Sequence, residues 1–283
     1  MLRINSGNLS QADAQAAYEA GQRVVEVHRR LVDFLRVGQT LAQIDQHVLR
    51  TLEDLGCKSC FYLYRQPRLP AFPSHACLSV NDCIVHGTAG YYTQPMKEGD
   101  ILKIDIGVTY RGWIGDAAWT YVFRNYPSEE ARRLMESGKV SLARGIRELT
   151  PGKQLVDWAK VVQRTVEEEY GFHLVRGLGG HGYFRKKLHE APFVSNVVPE
   201  DFSPHRGSFE WPDALRPCTP GTIVAVEPMV AMGTSRTASR PREWPVFTAD
   251  GSLSVHYEHD VLVTETGPKV LTEGLEQMPD IVG

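Results

Sequence analysis

The chain has 283 residues, of which 42% are hydrophobic and 23% charged, with a formal net charge of −3. That balance supports a packed core in one large domain or two small ones, excludes bulk disorder, and gives no electrostatic footprint for specific nucleic-acid binding. No apolar run approaches the roughly 18 residues a membrane span needs, so no membrane partner is expected.

The opening stretch, MLRINSGNLSQADAQAAYEAGQRV, lacks the apolar core of a signal peptide. A helix is predicted over 10–37, because Ala17, Ala20, Val24, Val27, Leu31, Phe34 and Leu35 fall close to one helical stripe. Gly38 stops it, Thr40 opens a second helix, and Gly56 ends that one. Two strand-like runs follow, 101–110 and 113–123, joined by Arg111-Gly112 as a hairpin turn. A second helix pair is carried by ESGKVSLARGIREL and TPGKQLVDWAKVVQRTVEEEYG, and Gly138, Gly152 and Gly171 answer to Gly21, Gly38 and Gly56. Segment 197–220, rich in Pro, Ser and charge, reads as a surface loop, and 222–230 and 254–264 read as two more strands. The repeat predicts one domain over 1–283, with a short lead over about 1–10. Two α+β halves, about 17–125 and 126–272, are related by a pseudo-twofold and share a site between them.

The five cysteines, Cys57, Cys60, Cys77, Cys83 and Cys218, are odd in number and lack an export signal. They read as reduced thiols of a cytoplasmic protein. Cys57-x-x-Cys60 has no second pair to complete a zinc site and reads as small packed residues.

Four acids stand where acids are costly. Asp105 lies inside ILKIDIGV, Asp116 across the turn, Glu227 inside IVAVEPMV and Glu258 inside SVHYEHDVLV. A buried carboxylate is expensive unless it is paired or holds a metal. His181, after the glycine-rich GLGG, adds a nitrogen ligand. Carboxylates with one imidazole suit Mn, Co, Fe or Zn, and five such ligands can hold two divalent ions that turn water into hydroxide near neutral pH. The implied chemistry is hydrolysis. No GxSxG, P-loop or HExxH offers a rival catalytic set.

FPSHACLSVNDCIVHG, GDILKIDIGVTYRGWIGDAAWTY, GLGGHG, HEAP, PGTIVAVEPMV and SLSVHYEHDVLVT together resemble the type 1 methionine aminopeptidases of the pita-bread metallopeptidase family. The resemblance runs from about Ala17 to Thr272. It implies an α+β pita-bread (creatinase/aminopeptidase) fold with a curved antiparallel sheet covered by helices. It implies removal of the initiator methionine from nascent proteins by metal-activated hydroxide. Asp105 then ligates one metal, Asp116 and Glu258 bridge, and His181 and Glu227 ligate the second, with Glu227 also the general base and proton shuttle. His86 contacts the scissile amide and His189 steadies the tetrahedral intermediate. Phe72, Cys77 and Trp244 line the methionine pocket, and Asn81 and Ser254 fall where a monovalent cation is sometimes bound. By the same analogy the enzyme is a monomer, with the ribosome as a further candidate partner.

Two stretches depart from the family pattern. HGYFRKKLHE puts bulky and basic residues where small ones are usual, sets His189 one position further from His181, and has Leu188 in place of an aromatic. QPRLP at 66–70 replaces a small, glycine- and aromatic-bearing stretch of the pocket wall. These keep two alternatives open: an X-Pro or other aminopeptidase on the same fold, which a peptide panel separates, and a non-catalytic binding protein, which loss of metal binding would mark.

Overall fold

The computed structural model describes residues 9–283; the expected lead over 1–10 therefore falls, up to residue 8, outside the described residues. Helix α1, Gln11–Phe34, starts at a capping box in which Ser10 and Asp13 satisfy each other's backbone amides. It buries Ala17, Ala20, Val24, Val27 and Leu31. It ends three residues short of the predicted 37, where Leu35 turns extended. Thr40 and Gln43 form a second capping box for α2, Leu41–Asp54. The second helix pair is α3, Glu129–Ile146, capped by Ser128, and α4, Leu155–Gln163. The stretch expected to extend α4 as ordinary helix instead widens into a π-helix over Arg164–Glu169.

The predicted hairpin is present as Ile101–Tyr110 and Trp113–Phe123, paired in unbroken antiparallel register from Ile101↔Val122 to Tyr110↔Trp113. Arg111 and Gly112 both have positive φ, 48° and 85°, the pairing that a two-residue turn of the primed type demands. Helix α1 lies directly on this hairpin. A Cβ on Gly115 would sit 2.5 Å from the Ala20 carbonyl oxygen, and one on Gly21 would sit 2.6 Å from that of Leu271. Gly138 on α3 meets the Tyr257 ring in the same way.

The two later strand runs are each broken. Ile223–Val226 pairs with His259–Thr264 in one sheet, whereas Met229–Ala231 pairs with Ser254–His256 in another. Both runs change sheets at the same level, at Glu227-Pro228 on one and Tyr257-Glu258 on the other. Proline cannot donate to the ladder, so the strand has to be released there. The result is a five-stranded sheet around the hairpin, mostly antiparallel, and a five-stranded antiparallel sheet running Gly267–Val270, His259–Thr264, Ile223–Val226, Gly179–Phe184, Lys187–Ser195. Two three-stranded sheets complete the set, one ordered Ser254–His256, Met229–Ala231, His173–Leu174 and the other Thr237–Ser239, Val246–Thr248, Cys83–Val85. The hairpin is tied to Ser254–His256 by Thr120 and His256, whose backbone and hydroxyl groups exchange bonds of 2.6 and 3.1 Å.

Segment 197–220 is not wholly a surface loop. Trp211, Ala214 and Cys218 are buried, and Trp211 Nε1 donates to the Phe193 carbonyl at 2.9 Å. Polar composition hid three anchors that fasten it to the core. All five cysteines are unpaired.

Candidate metal centre and substrate pocket

Asp105 and Asp116 come from the hairpin. Asp105 faces Ala118 and Asp116 faces Gly107, so the two carboxylates are diagonal neighbours on one face of the sheet. Glu227 and Glu258 arrive from the two broken strand runs, at the paired breaks described above. His181 lies on Gly179–Phe184, next to Ile223–Val226. The five sequence-predicted ligands all line one pocket. Single donor atoms of Asp116, His181 and Glu258 lie within 4.8 Å of one another, as do those of Glu227, His256 and Glu258. Asp105 stands at the edge of these groups, beside Cys77 across the paired strands.

The electrostatics show what the site lacks in protein partners. Asp105 Oδ1 and Asp116 Oδ1 are buried without any hydrogen-bond donor. Burial first, and then the neighbouring carboxylates, raise Asp116 and Glu258 well above the ordinary carboxylate range. Burial pushes Asp105 up to about 7. So many crowded acids with orphaned oxygens fit divalent cations, which would supply the missing positive charge.

The pocket opening onto these acids is apolar on its other wall. Phe61, Phe72, Cys77, Leu188 and Trp244 line it together with His86 and His189. Phe72 packs edge-on against Trp244, with centroids 5.2 Å apart, and Trp244 makes the same contact with His86 at 6.1 Å. The departing QPRLP stretch does build this wall, since Pro70 O accepts from Trp244 Nε1 at 2.9 Å. His86 ends Cys83–Val85 with a left-handed backbone, φ 59°. Burial lowers its imidazole to about 4, and burial also lowers that of His189.

His189 stays beside His181, with ring centroids 4.4 Å apart, in spite of the longer loop. Register shifts at His181/Gly182 and Gly182/Phe184 absorb the extra residue as a bulge. Of the inserted bulky residues, Tyr183 turns inward and is buried, and Phe184 and Arg185 pack on Trp113.

Besides Phe61 and Leu188 of the apolar wall, three polar residues at the site were missed from sequence. His256 Nε2 lies 3.0 Å from Glu227 Oε2 and 3.8 Å from Glu258 Oε2, and with a carboxylate as partner it is the donor. Asp260, fully buried, accepts from the Asp116 amide at 2.7 Å. The Tyr64 hydroxyl lies 2.7 Å from His189 Nδ1. The first two stand two positions either side of Glu258, and strand alternation was the available signal. Tyr64 had none, because its partner is 125 residues away.

The comparisons with known proteins agree with this geometry. The family model for metallopeptidase family M24 matches residues 15–265. A curated methionine aminopeptidase of Aquifex aeolicus is 35% identical over 265 residues, covering 93% of this chain and 97% of that protein. The crystal structure of methionine aminopeptidase from Thermotoga maritima superposes with a TM-score of 0.82 at 31% identity, covering 96% of this chain and 99% of that one. An X-Pro aminopeptidase from the same organism shares the fold with a TM-score of 0.70 at 18% identity, covering 96% of this chain and 62% of its own. The architecture is the pita-bread fold, and the chain belongs to metallopeptidase family M24.

Proposed function

We propose that the chain is a metal-dependent methionyl aminopeptidase, removing N-terminal methionine from peptides and proteins. One observation carries the reading: a carboxylate cradle with unpartnered buried oxygens lies at the end of an apolar pocket walled by Phe61, Phe72, Cys77, Leu188 and Trp244. An unbranched thioether fills such a pocket well. The relatives named methionine aminopeptidase along nearly the full chain support the same substrate.

In this reading Asp105, Asp116, His181, Glu227 and Glu258 hold two divalent ions. When bound, the ions supply Lewis acidity, lowering the pKa of water and drawing negative charge from the scissile carbonyl. The aromatic wall places the methionine side chain and excludes water from it. His86 and His189 are neutral at physiological pH and donate hydrogen bonds to the scissile amide and to the oxygen that gains charge. Glu227 accepts the proton of the attacking water and passes it to the leaving amine. His256 fixes the orientation of the Glu227 carboxylate, and Tyr64 that of the His189 ring.

Mn, Co, Fe and Zn all suit this ligand set. Unpaired thiols suit a reducing cytoplasm; the enzyme in this reading is a monomer there, acting on nascent chains with the ribosome as a candidate partner. No helix among the described residues is long and apolar enough to cross a membrane.

The test is hydrolysis of Met-Ala-Ser against Leu-, Pro- and X-Pro-leading peptides, on metal-stripped protein with each metal added back. Metal-dependent release of methionine alone is expected. Release of a different residue would move the chain to another specificity, and no release with any metal would refute the catalytic reading.

A further inference from the structure

Asn81 and Ser254, where the resemblance implies an alkali cation, meet in the structure around a side chain of the protein itself. Asn81 occupies the turn between Cys77–Val80 and Cys83–Val85 with a left-handed backbone, φ 51°. Its side chain is locked to the neighbouring strand: Nδ2 donates to Asp100 Oδ1 and Oδ1 accepts from Ile101 N, both at 2.9 Å. That lock aims the Asn81 carbonyl inward, where it accepts from Ser254 N and Ser254 Oγ, each at 3.1 Å. Ser254 Oγ also lies 3.4 Å from the Cys83 carbonyl. Two backbone carbonyls and a hydroxyl, without a carboxylate, are a donor set for a singly charged cation whose hydration shell they replace.

Lys103 reaches the same oxygens. It faces Ser79 across the paired strands, is 1% exposed, and puts Nζ 2.7 Å from the Asn81 carbonyl. Lysine is almost never buried this completely without a partner, and here its partner is the carbonyl that would ligate the ion. We propose that the Lys103 ammonium is a built-in replacement for the alkali cation, so that the protein binds neither sodium nor potassium there and depends on neither. An ion on Asn81 O would have to displace Nζ from it. The amine holds the position and donates to the carbonyl in either protonation form. The arrangement joins Cys77–Val80 and Ile101–Tyr110 to Ser254 through the Asn81 carbonyl, by covalent chain where a dissociable ion could otherwise be lost.

The proposal does not depend on the substrate, and its test needs no activity. Thermal unfolding of the metal-stripped protein is followed in choline, sodium and potassium chloride at equal ionic strength, for wild type and Lys103→Ala. Wild type should unfold within about 1 °C of the same temperature in all three salts. Lys103→Ala should unfold lower in choline and recover by about 3 °C or more, saturably, in at least one alkali salt or in ammonium chloride, the shift expected for a ligand well above its Kd in a chain of this size. A saturable rise in wild type would overturn the proposal. Indifference of Lys103→Ala to every cation would overturn it too, since Lys103 would then be an ordinary core side chain. If Lys103→Ala does not fold, Lys103→Val, which keeps strand propensity and carries no donor, is taken through the same series with the same criteria.

Discussion

The hairpin 101–123 and the broken strands 222–231 and 254–264 deliver acids to one site in opposite ways. In the hairpin, Asp105 and Asp116 project from unbroken ladders whose register a two-residue turn fixes locally. In the second pair, Glu227 and Glu258 sit where both strands leave one sheet for another, and no short turn links them. A continuous ladder positions a carboxylate mainly through the backbone, here with the Asp260 carboxylate added on the Asp116 amide. A break frees backbone and side chain together, so neighbours have to hold the carboxylate: His256 on Glu227, and the Asn196 amide on the Glu227 carbonyl at 2.9 Å. Acids on the hairpin should therefore be sensitive to their own replacement and little else, and those at the breaks should also depend on what surrounds them.

The largest effect that would sharpen this contrast is expected from Asp116→Ala. If Asp116 holds metal as proposed, its loss should lower kcat/KM by about 10³-fold or more and weaken metal binding, measured by peptide hydrolysis and by metal titration. The metal-free variant should be no less stable than wild type at neutral pH, because a buried carboxyl oxygen without a hydrogen-bond partner is gone. Next comes His256→Leu, which should cost about 10–100-fold in metal affinity or activity, with His256→Gln recovering most of it because its amide can donate to Glu227. If His256→Leu proves silent, the idea that a break needs a neighbouring hold fails.

Tyr64→Phe removes one hydrogen bond from His189, worth about 0.5–1.5 kcal/mol, and should lower kcat/KM by about tenfold at most. Gly21→Ala should leave the site intact and destabilise the chain by about 1–3 kcal/mol through overpacking against Leu271, read from denaturant unfolding.

The pH dependence of stability tests the cradle as a whole. In the metal-free protein Asp105 is raised to about 7, and Asp116 and Glu258 are raised as well. The native state then holds more protons than the unfolded chain between the ordinary carboxylate range and about pH 7. Stability from these groups falls as pH rises through that window. Saturating metal, which binds the ionised forms, should cancel or reverse the slope. Melting curves at pH 5.5 and 7.5, with chelator and with manganese, measure it; an unchanged slope would mean that these acids do not hold the metal.

Local chemistry determined a great deal of this molecule. Capping boxes at Ser10 and Thr40, the Arg111-Gly112 turn, the alternation of the hairpin and the out-of-place acids are all short-range signals that read directly as structure. The out-of-place acids and the family motifs singled out five residues, Asp105, Asp116, His181, Glu227 and Glu258, that line one pocket, without a fold in hand. What the sequence concealed was decided by contacts between residues far apart. The division of two apparent strands depends on which sheet each half can pair with. The anchoring of 197–220 depends on a pocket for Trp211, the return of His189 to His181 on a bulge, and the filling of the Asn81 carbonyl site on a lysine from the neighbouring strand. Propensity and pattern act over a few residues, whereas a buried polar group is satisfied by whatever the folded chain brings within about 3 Å of it, and only the tertiary structure sets that neighbour.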